Sequence, residues 1–177
     1  MRTLIVYYSL EGNTTFAAEK IAGALGAELL RLEPEKAYPD SGMKKFLWGG
    51  KSAVMGEEPP LKHYTFRGED WDRVIIGFPV WAGTVTPPIR TFVKAHGGEL
   101  AGKSVAVFAC QSGSGAEKAF KKLAALLGRE SFEAELLLID PKTKPGAANE
   151  EKLAAFCRNL SCPGEAEKFF PGAAKKP

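Results

Sequence analysis

The fold is decided near the start of the chain by the apolar run Thr3-Leu4-Ile5-Val6-Tyr7-Tyr8 and the polar turn after it, Ser9-Leu10-Glu11-Gly12-Asn13-Thr14-Thr15. Beyond the turn, Ala18, Ile21 and Leu25 follow the spacing of one helix face. The stretch therefore predicts a β-strand that passes through a loop into the N-terminus of a helix. The unpaired N–H groups and the positive dipole end of such a helix favour an anion. Ordinary strand-to-helix turns use the same capping residues, so this stretch alone leaves phosphate binding open.

Length and composition indicate one globular domain. The chain has 177 residues, of which 45% are hydrophobic and 25% are charged, and a chain of this size buries enough surface for a stable core. We expect the domain to span residues 1–162 and residues 163–177 to form a poorly ordered tail. The three cysteines, Cys110, Cys157 and Cys162, lack the spacing of a zinc site or a disulfide framework. We therefore assign no metal site.

Charge and hydropathy limit the partners of the protein. The net charge is +3, but the basic residues do not form the dense stripe, interleaved with aromatic residues, that is typical of nucleic-acid binding. No apolar run approaches the ~20 residues of a membrane span, and the N-terminal run is too short for a signal peptide. We expect a cytoplasmic protein with no nucleic-acid partner and no membrane span. The oligomeric state, including a homodimer, stays open.

Strands and helices alternate along the rest of the chain. Apolar runs predict further strands at residues 28–32, 72–78, 104–109 and 134–139, and helical spacing predicts helices at residues 87–96, 115–128 and 149–160. Alternation through five strands predicts a doubly wound α/β fold, in which helices cover both faces of a parallel sheet.

One connection breaks this alternation. Residues 34–70 are rich in proline and glycine, and the best helix candidate there, Met43 to Met55, is interrupted by Gly49-Gly50. A long irregular crossover of this kind is usually functional or mobile. We expect its aromatic residues Phe46 and Trp48 to cover the sheet, with a ligand pocket as the alternative.

Three polar or glycine-containing loops follow predicted strands. They are residues 9–15, residues 79–84 (Pro79-Val80-Trp81-Ala82-Gly83-Thr84) and residues 110–115 (Cys110-Gln111-Ser112-Gly113-Ser114-Gly115). In a doubly wound sheet, ligands bind outside the carboxyl ends of the strands. Trp81 has little core to join between a proline and a glycine, which favours contact with a ligand ring. The three loops together suit a phosphate joined to a flat heteroaromatic ring.

On these loops the chain resembles the flavodoxin-like FMN-binding family. The matching residues are 8–15, against the phosphate loop of that family, and Gly77-Phe78-Pro79-Val80-Trp81-Ala82-Gly83-Thr84, against its first flavin-ring loop. The resemblance in element order extends over residues 2–160. It implies a five-stranded parallel sheet in the order 2-1-3-4-5, with FMN at the junction of strands one and three.

The resemblance also implies which residues contact the cofactor. The phosphate would be held by Ser9, Gly12, Asn13, Thr14 and Thr15, and Glu11 would offer its backbone N–H. The flavin ring would be flanked on one side by Pro79, Val80, Trp81, Ala82, Gly83 and Thr84, and on the other by Cys110, Gln111, Ser112, Gly113 and Gly115. No catalytic residue is assigned, and Cys110 is expected to be an unreactive thiol beside the ring.

Three functions from different classes remain open. The chain could be an FMN-dependent oxidoreductase that passes electrons from NAD(P)H to a quinone-like acceptor, or a non-enzymatic carrier flavodoxin that docks with redox proteins. It could also be a flavin-free module that binds a phosphate or nucleotide. Two features favour the enzyme: residues 110–115 contain no aromatic residue to cover the second ring face, and the chain is basic, whereas carrier flavodoxins are typically acidic. The donor and acceptor stay unidentified.

Overall fold

The computed structural model describes residues 1–39 and 50–161. Five parallel strands form one sheet in the order β2-β1-β3-β4-β5. They are β1 (Thr3–Tyr7), β2 (Glu28–Arg31), β3 (Arg73–Pro79), β4 (Ser104–Gln111) and β5 (Glu135–Ile139). This confirms the predicted doubly wound fold and the strand order 2-1-3-4-5.

Within residues 1–39 and 50–161, four helices of 11 to 14 residues pack on the two faces of the sheet. They are α1 (Asn13–Leu25), α2 (Pro87–Leu100), α3 (Ala116–Leu126) and α4 (Ala147–Leu160). Side chains of β1 alternate between two cores: Leu4 and Val6 face the core that contains residues of α2 and α3, and Ile5 and Tyr7 face the core that contains residues of α1 and α4. Both faces of the central strands are therefore buried, which explains why their sequences are continuously apolar.

The long crossover between β2 and β3 is described only in part. An isolated antiparallel bridge joins Pro34 to Leu61, residues 50–55 are helical, and a short 3₁₀ helix spans Gly68–Asp70. The described end of the Met43 to Met55 helix candidate, residues 50–55, is thus helical and includes Gly50. Phe46 and Trp48 lie outside the described residues, as do Cys162 and the tail of residues 163–177. Within the described residues, no helix is long and apolar enough to cross a membrane.

A close contact between β3 and β4 fixes the middle of the sheet. Gly77 is the register partner of Phe108, whose ring is fully buried. A Cβ atom on Gly77 would lie 2.1 Å from the Phe108 Cζ atom. Position 77 therefore requires glycine because of space, and not because of its backbone conformation.

We predict opposite effects for two glycine substitutions. Gly77→Ala should lower the free energy of unfolding by about 1–3 kcal/mol, because the buried Phe108 ring must move into a filled core. Gly23→Ala should raise it by about 0.5–1 kcal/mol, because Gly23 is exposed in α1 and a Cβ there meets no atom within 4 Å. Urea unfolding of both variants measures the two changes, and a Gly77→Ala variant as stable as wild type would contradict the contact.

Candidate functional site

A cleft of about 310 Å³ lies at the carboxyl edge of the sheet. The sheet register places it there: Tyr7 pairs with Gly77, Pro79 with Cys110, and Gln111 with Ile139. The residues that follow these strands therefore leave the sheet side by side. The cleft is lined by Ser9, Leu10, Glu11, Asn13, Thr14, Gly50, Pro79, Val80, Trp81, Ala82, Cys110, Gln111, Ser112, Gly113, Ser114 and Asp140.

The three predicted loops meet at this cleft, but not every predicted residue lines it. Five do not line it: Gly12, Thr15, Gly83, Thr84 and Gly115. Leu10, Gly50, Ser114 and Asp140 line the cleft although the sequence analysis did not select them as site residues. The crossover thus reaches the site at one described residue, Gly50.

Ser9 organises the first loop. Its Oγ atom accepts hydrogen bonds from the N–H groups of Gly12 and Thr15, both at 3.2 Å. Gly12 has φ +90°, a left-handed conformation that glycine adopts without strain, and α1 begins at the next residue. The loop is therefore closed by its own side chain into a turn around the N-terminus of α1.

One side chain of this loop has an unmet polar group. Thr14 is 1% exposed and lines the cleft. Its Oγ1 atom lies beside the Cys110 thiol and acts to lower the pKa of that thiol, but within residues 1–39 and 50–161 it forms no hydrogen bond of good geometry. A buried hydroxyl without a partner costs about 1–3 kcal/mol. Together with the N-terminal N–H groups and dipole of α1, this hydroxyl fits an anionic oxygen ligand.

The second loop forms a tight turn that presents Trp81. Trp81 and Thr84 exchange backbone hydrogen bonds of 3.4 and 3.0 Å, and the two residues between them have positive φ, +49° at Ala82 and +65° at Gly83. The left-handed conformation costs a non-glycine residue about 1–2 kcal/mol. The backbone of this turn is therefore strained at Ala82.

Trp81 has more aromatic neighbours than the sequence indicates. Its ring packs edge-on against Tyr8 at 5.7 Å and Tyr38 at 5.1 Å between ring centroids. The expectation that Trp81 has little core to join is therefore wrong, since Tyr38 reaches it from the crossover. Trp81 also lines the cleft, so the two tyrosines hold its indole ring in place at the edge of the site.

The third loop connects β4 to α3. Gln111 Oε1 accepts a hydrogen bond of 2.9 Å from the N–H of Ala116 at the start of α3. Cys110 is buried, and burial raises the pKa of its thiol to about 12. The thiol is therefore protonated at neutral pH, which agrees with the expected unreactive cysteine.

Asp140 is the most consequential residue that the sequence analysis missed. It follows β5 directly, is 6% exposed and has φ +43°. Its carboxylate accepts hydrogen bonds from Ser112 Oγ at 2.6 Å and Lys144 Nζ at 2.9 Å. Burial acts to raise the pKa of Asp140, but these two hydrogen bonds and the charge of Lys144 outweigh it and lower the pKa. The site therefore contains an ionised carboxylate at neutral pH.

The loop after β5 also contacts the first loop. The Lys142 N–H donates a hydrogen bond of 2.9 Å to Asn13 Oδ1, and the Lys142 side chain lies against Gly12. Four strand-end loops therefore form the site, and not three. No group of histidine, cysteine, aspartate or glutamate residues that could hold a metal ion is found in residues 1–39 and 50–161.

Comparisons with known proteins give a consistent result. A family model described as Flavodoxin matches residues 2–159, and no curated protein matches the sequence. A protein from Bacteroides eggerthii DSM 20697 that is proposed to be a flavoprotein is 26% identical, with a TM-score of 0.67 over 77% of this chain and 87% of that chain.

Two further solved structures are more distant in sequence. A flavoprotein from Lactobacillus acidophilus NCFM in complex with FMN is 23% identical, with a TM-score of 0.65 over 79% of this chain and 93% of that chain. Oxidised flavodoxin 2 from Bacillus cereus is 19% identical, with a TM-score of 0.54 over 90% of this chain and 97% of that chain. Because the family match spans residues 2–159 and the solved structures share the fold, this chain belongs to the flavodoxin family.

Proposed function

We propose that this protein binds FMN in the cleft and uses it in redox chemistry, as an oxidoreductase that takes electrons from a nicotinamide nucleotide and passes them to a quinone-like acceptor. Family membership and the FMN complex of the Lactobacillus acidophilus flavoprotein support the cofactor. The observation that carries the proposal is the buried, unpartnered Thr14 hydroxyl at the N-terminus of α1. This hydroxyl lines the cleft and can donate to a polar ligand there.

The phosphate end of FMN fits the first loop. Thr14 Oγ1 would donate to a phosphate oxygen, and the backbone N–H groups of Asn13 and Thr14 lie in the first turn of α1, where a helix leaves donors unpaired. Ser9 would keep these donors in place through its bonds to Gly12 and Thr15. Hydrogen bonds to a charged oxygen stabilise a complex by roughly 1.5–3 kcal/mol each.

The ring end of FMN fits between the second and third loops. Trp81 offers a fixed aromatic surface on one side, and Cys110, Gln111, Ser112 and Gly113 border the other. A volume of about 310 Å³ lies at the lower end of the range for small-molecule sites. When bound, FMN would supply hydride and single-electron transfer, while the protein positions the ring and controls access to it.

The third loop favours an enzyme over a carrier. It contains no aromatic residue, and a Cβ atom on Gly113 would meet no atom within 4 Å. One face of the ring would thus stay open to a second flat molecule such as nicotinamide or a quinone. A carrier flavodoxin that docks with redox proteins is the alternative.

We predict that the Thr14 hydroxyl distinguishes FMN from riboflavin. Thr14→Val keeps the shape of the side chain but removes the donor, so it should weaken FMN about tenfold and change riboflavin by less than twofold. The apoprotein should become more stable, because an unpartnered buried hydroxyl is lost. Fluorescence titration and urea unfolding measure both effects.

Thr86→Val is the matched control for this variant. Thr86 Oγ1 is also buried and unpartnered, but Thr86 does not line the cleft. Its replacement should stabilise the apoprotein without changing FMN affinity. Equal weakening of FMN and riboflavin by Thr14→Val would contradict the phosphate assignment.

For Trp81 we expect a ligand effect of a different kind. Trp81→Ala should weaken FMN and riboflavin equally, by about three- to tenfold, because both ligands carry the same ring and stacking contributes about 0.5–1.5 kcal/mol. The fluorescence of the bound flavin should increase, since an adjacent indole quenches it. Trp71→Ala serves as control, because Trp71 does not line the cleft. Unchanged flavin fluorescence in Trp81→Ala would place Trp81 away from the ring.

Stopped-flow absorbance separates the enzyme from the carrier. We expect NADH or NADPH to bleach the flavin absorbance of the reconstituted protein directly, and Gly113→Trp to slow this at least tenfold by covering the open ring face while FMN stays bound. Gly98→Trp, on the exposed end of α2, should leave the rate unchanged. Bleaching by a reductase protein but by neither nucleotide would establish the carrier instead.

A further inference from the structure

The structure places a lysine against the phosphate loop. An ideal Cβ atom on Gly12 would lie 2.8 Å from Lys142 Nζ and 3.4 Å from Lys142 Cδ, so the Lys142 side chain occupies the space next to the Gly12 Cα atom. Gly12 immediately precedes α1, whose second residue carries the unpartnered Thr14 hydroxyl. The ammonium group thus lies beside the turn that would receive an anion.

The position of Lys142 is fixed by the main chain. Its N–H donates to Asn13 Oδ1 at 2.9 Å. The Lys144 N–H donates a 2.7 Å hydrogen bond to the Asp140 carbonyl, which closes the backbone around Lys142 into a turn. Asn149, in α4, exchanges hydrogen bonds of 3.0 and 2.7 Å with the backbone of Ile139 at the end of β5. Only the side chain of Lys142 needs to move to reach a ligand.

Charges around the cleft make this lysine relevant to an anion. Asp140 lines the cleft, and a carboxylate near a phosphate dianion disfavours the anion unless a cation offsets its charge. The Asp140 carboxylate is paired with Lys144 at 2.9 Å. Within residues 1–39 and 50–161, the Lys142 ammonium forms no ion pair, and the side chain is exposed. Its charge is thus available to a ligand.

We propose that Lys142 is a specificity-determining residue that pairs its ammonium group with the terminal phosphate monoester of the bound flavin nucleotide, so that the protein selects phosphorylated over unphosphorylated flavin. This inference rests on the proposed function, since it assigns a second contact to the same phosphate. The ammonium group adds charge to a loop whose other donors, in Asn13 and Thr14, are neutral. A charged donor forms stronger hydrogen bonds to phosphate than a neutral one does.

The test compares the dissociation constants of FMN and riboflavin in four proteins: wild type, Lys142→Met, Lys142→Arg and Lys121→Met. Lys142→Met should weaken FMN about tenfold and change riboflavin by less than twofold. Lys142→Arg, which keeps the charge, should stay within about threefold of wild type for both ligands. Lys121→Met removes the same charge from the exposed side of α3, so it controls for net charge and should change neither constant.

Salt gives an independent readout. The dissociation constant of FMN from wild type should rise when NaCl is increased from about 50 to about 500 mM, because the higher concentration screens charge interactions more strongly. The dissociation constant from Lys142→Met should rise less. Unchanged FMN affinity in Lys142→Met, or equal weakening of FMN and riboflavin, overturns the role of Lys142. Wild type and Lys142→Met could both prefer FMN over riboflavin by the same ratio of dissociation constants. That result would overturn the role of Lys142 but leave the proposed function intact. If wild type binds neither flavin, the proposed function and the role of Lys142 both fail.

Discussion

The site depends on the parallel register of four neighbouring strands. Pairing of Pro79 with Cys110 and of Gln111 with Ile139 makes β3, β4 and β5 end at nearly the same height. Ser112 and Asp140, the next residues along two of these strands, are therefore adjacent and share a hydrogen bond of 2.6 Å. A slip of one residue would send the side chains of a strand to the opposite face and would separate this pair. The close contact between Gly77 and Phe108 opposes such a slip, because no other residue in that register leaves room for the ring.

Two hydroxyl groups close to the start of α1, those of Ser9 and Thr14, differ in how far the protein satisfies them. Ser9 Oγ accepts two backbone hydrogen bonds, whereas Thr14 Oγ1 makes none. The first group holds the loop in shape, and the second would bind the ligand under the proposed function. A ligand that satisfies Thr14 would recover a desolvation cost already present in the free protein, so ligand binding and stability are linked at this residue.

Local patterns predicted the elements of the fold more reliably than the partners of individual residues. Strand positions followed from apolar runs, and the strand order followed from the resemblance on residues 8–15 and 77–84. The poor helix propensity of Gly97 and Gly98 favours an end of α2 at residue 96. That predicted end was wrong, because the helix continues to Leu100. Leu100 is fully buried, and Glu99 accepts a 2.7 Å hydrogen bond from Gly68 N–H. Tertiary contacts thus override propensity there.

The missed site residues have a related explanation. The strand ending at residue 139 was predicted. Ligands bind outside the carboxyl ends of the strands in a doubly wound sheet, and this rule applies to the loop after residue 139 as well as to the other three loops. Asp140 could therefore have been found from topology alone, although its partner Ser112 could not. Contacts of Trp81 with Tyr38, and of Lys142 with Gly12, join segments far apart in the chain. Periodicity carries no information on such pairs, since it reports only which face of an element is buried.

The two ends of the cleft differ in a way that bears on the proposed chemistry. At the first-loop end, Ser9 closes the turn, so the backbone donors at the start of α1 are in place before a ligand arrives. The other end combines a strained turn at Ala82 with a glycine-containing loop that has no aromatic residue. Preorganised donors give affinity at little entropic cost, whereas an open ring face gives access to a reaction partner. Affinity and reactivity would thus reside in different loops, and a substitution in residues 112–114 could alter the choice of electron acceptor without releasing the cofactor.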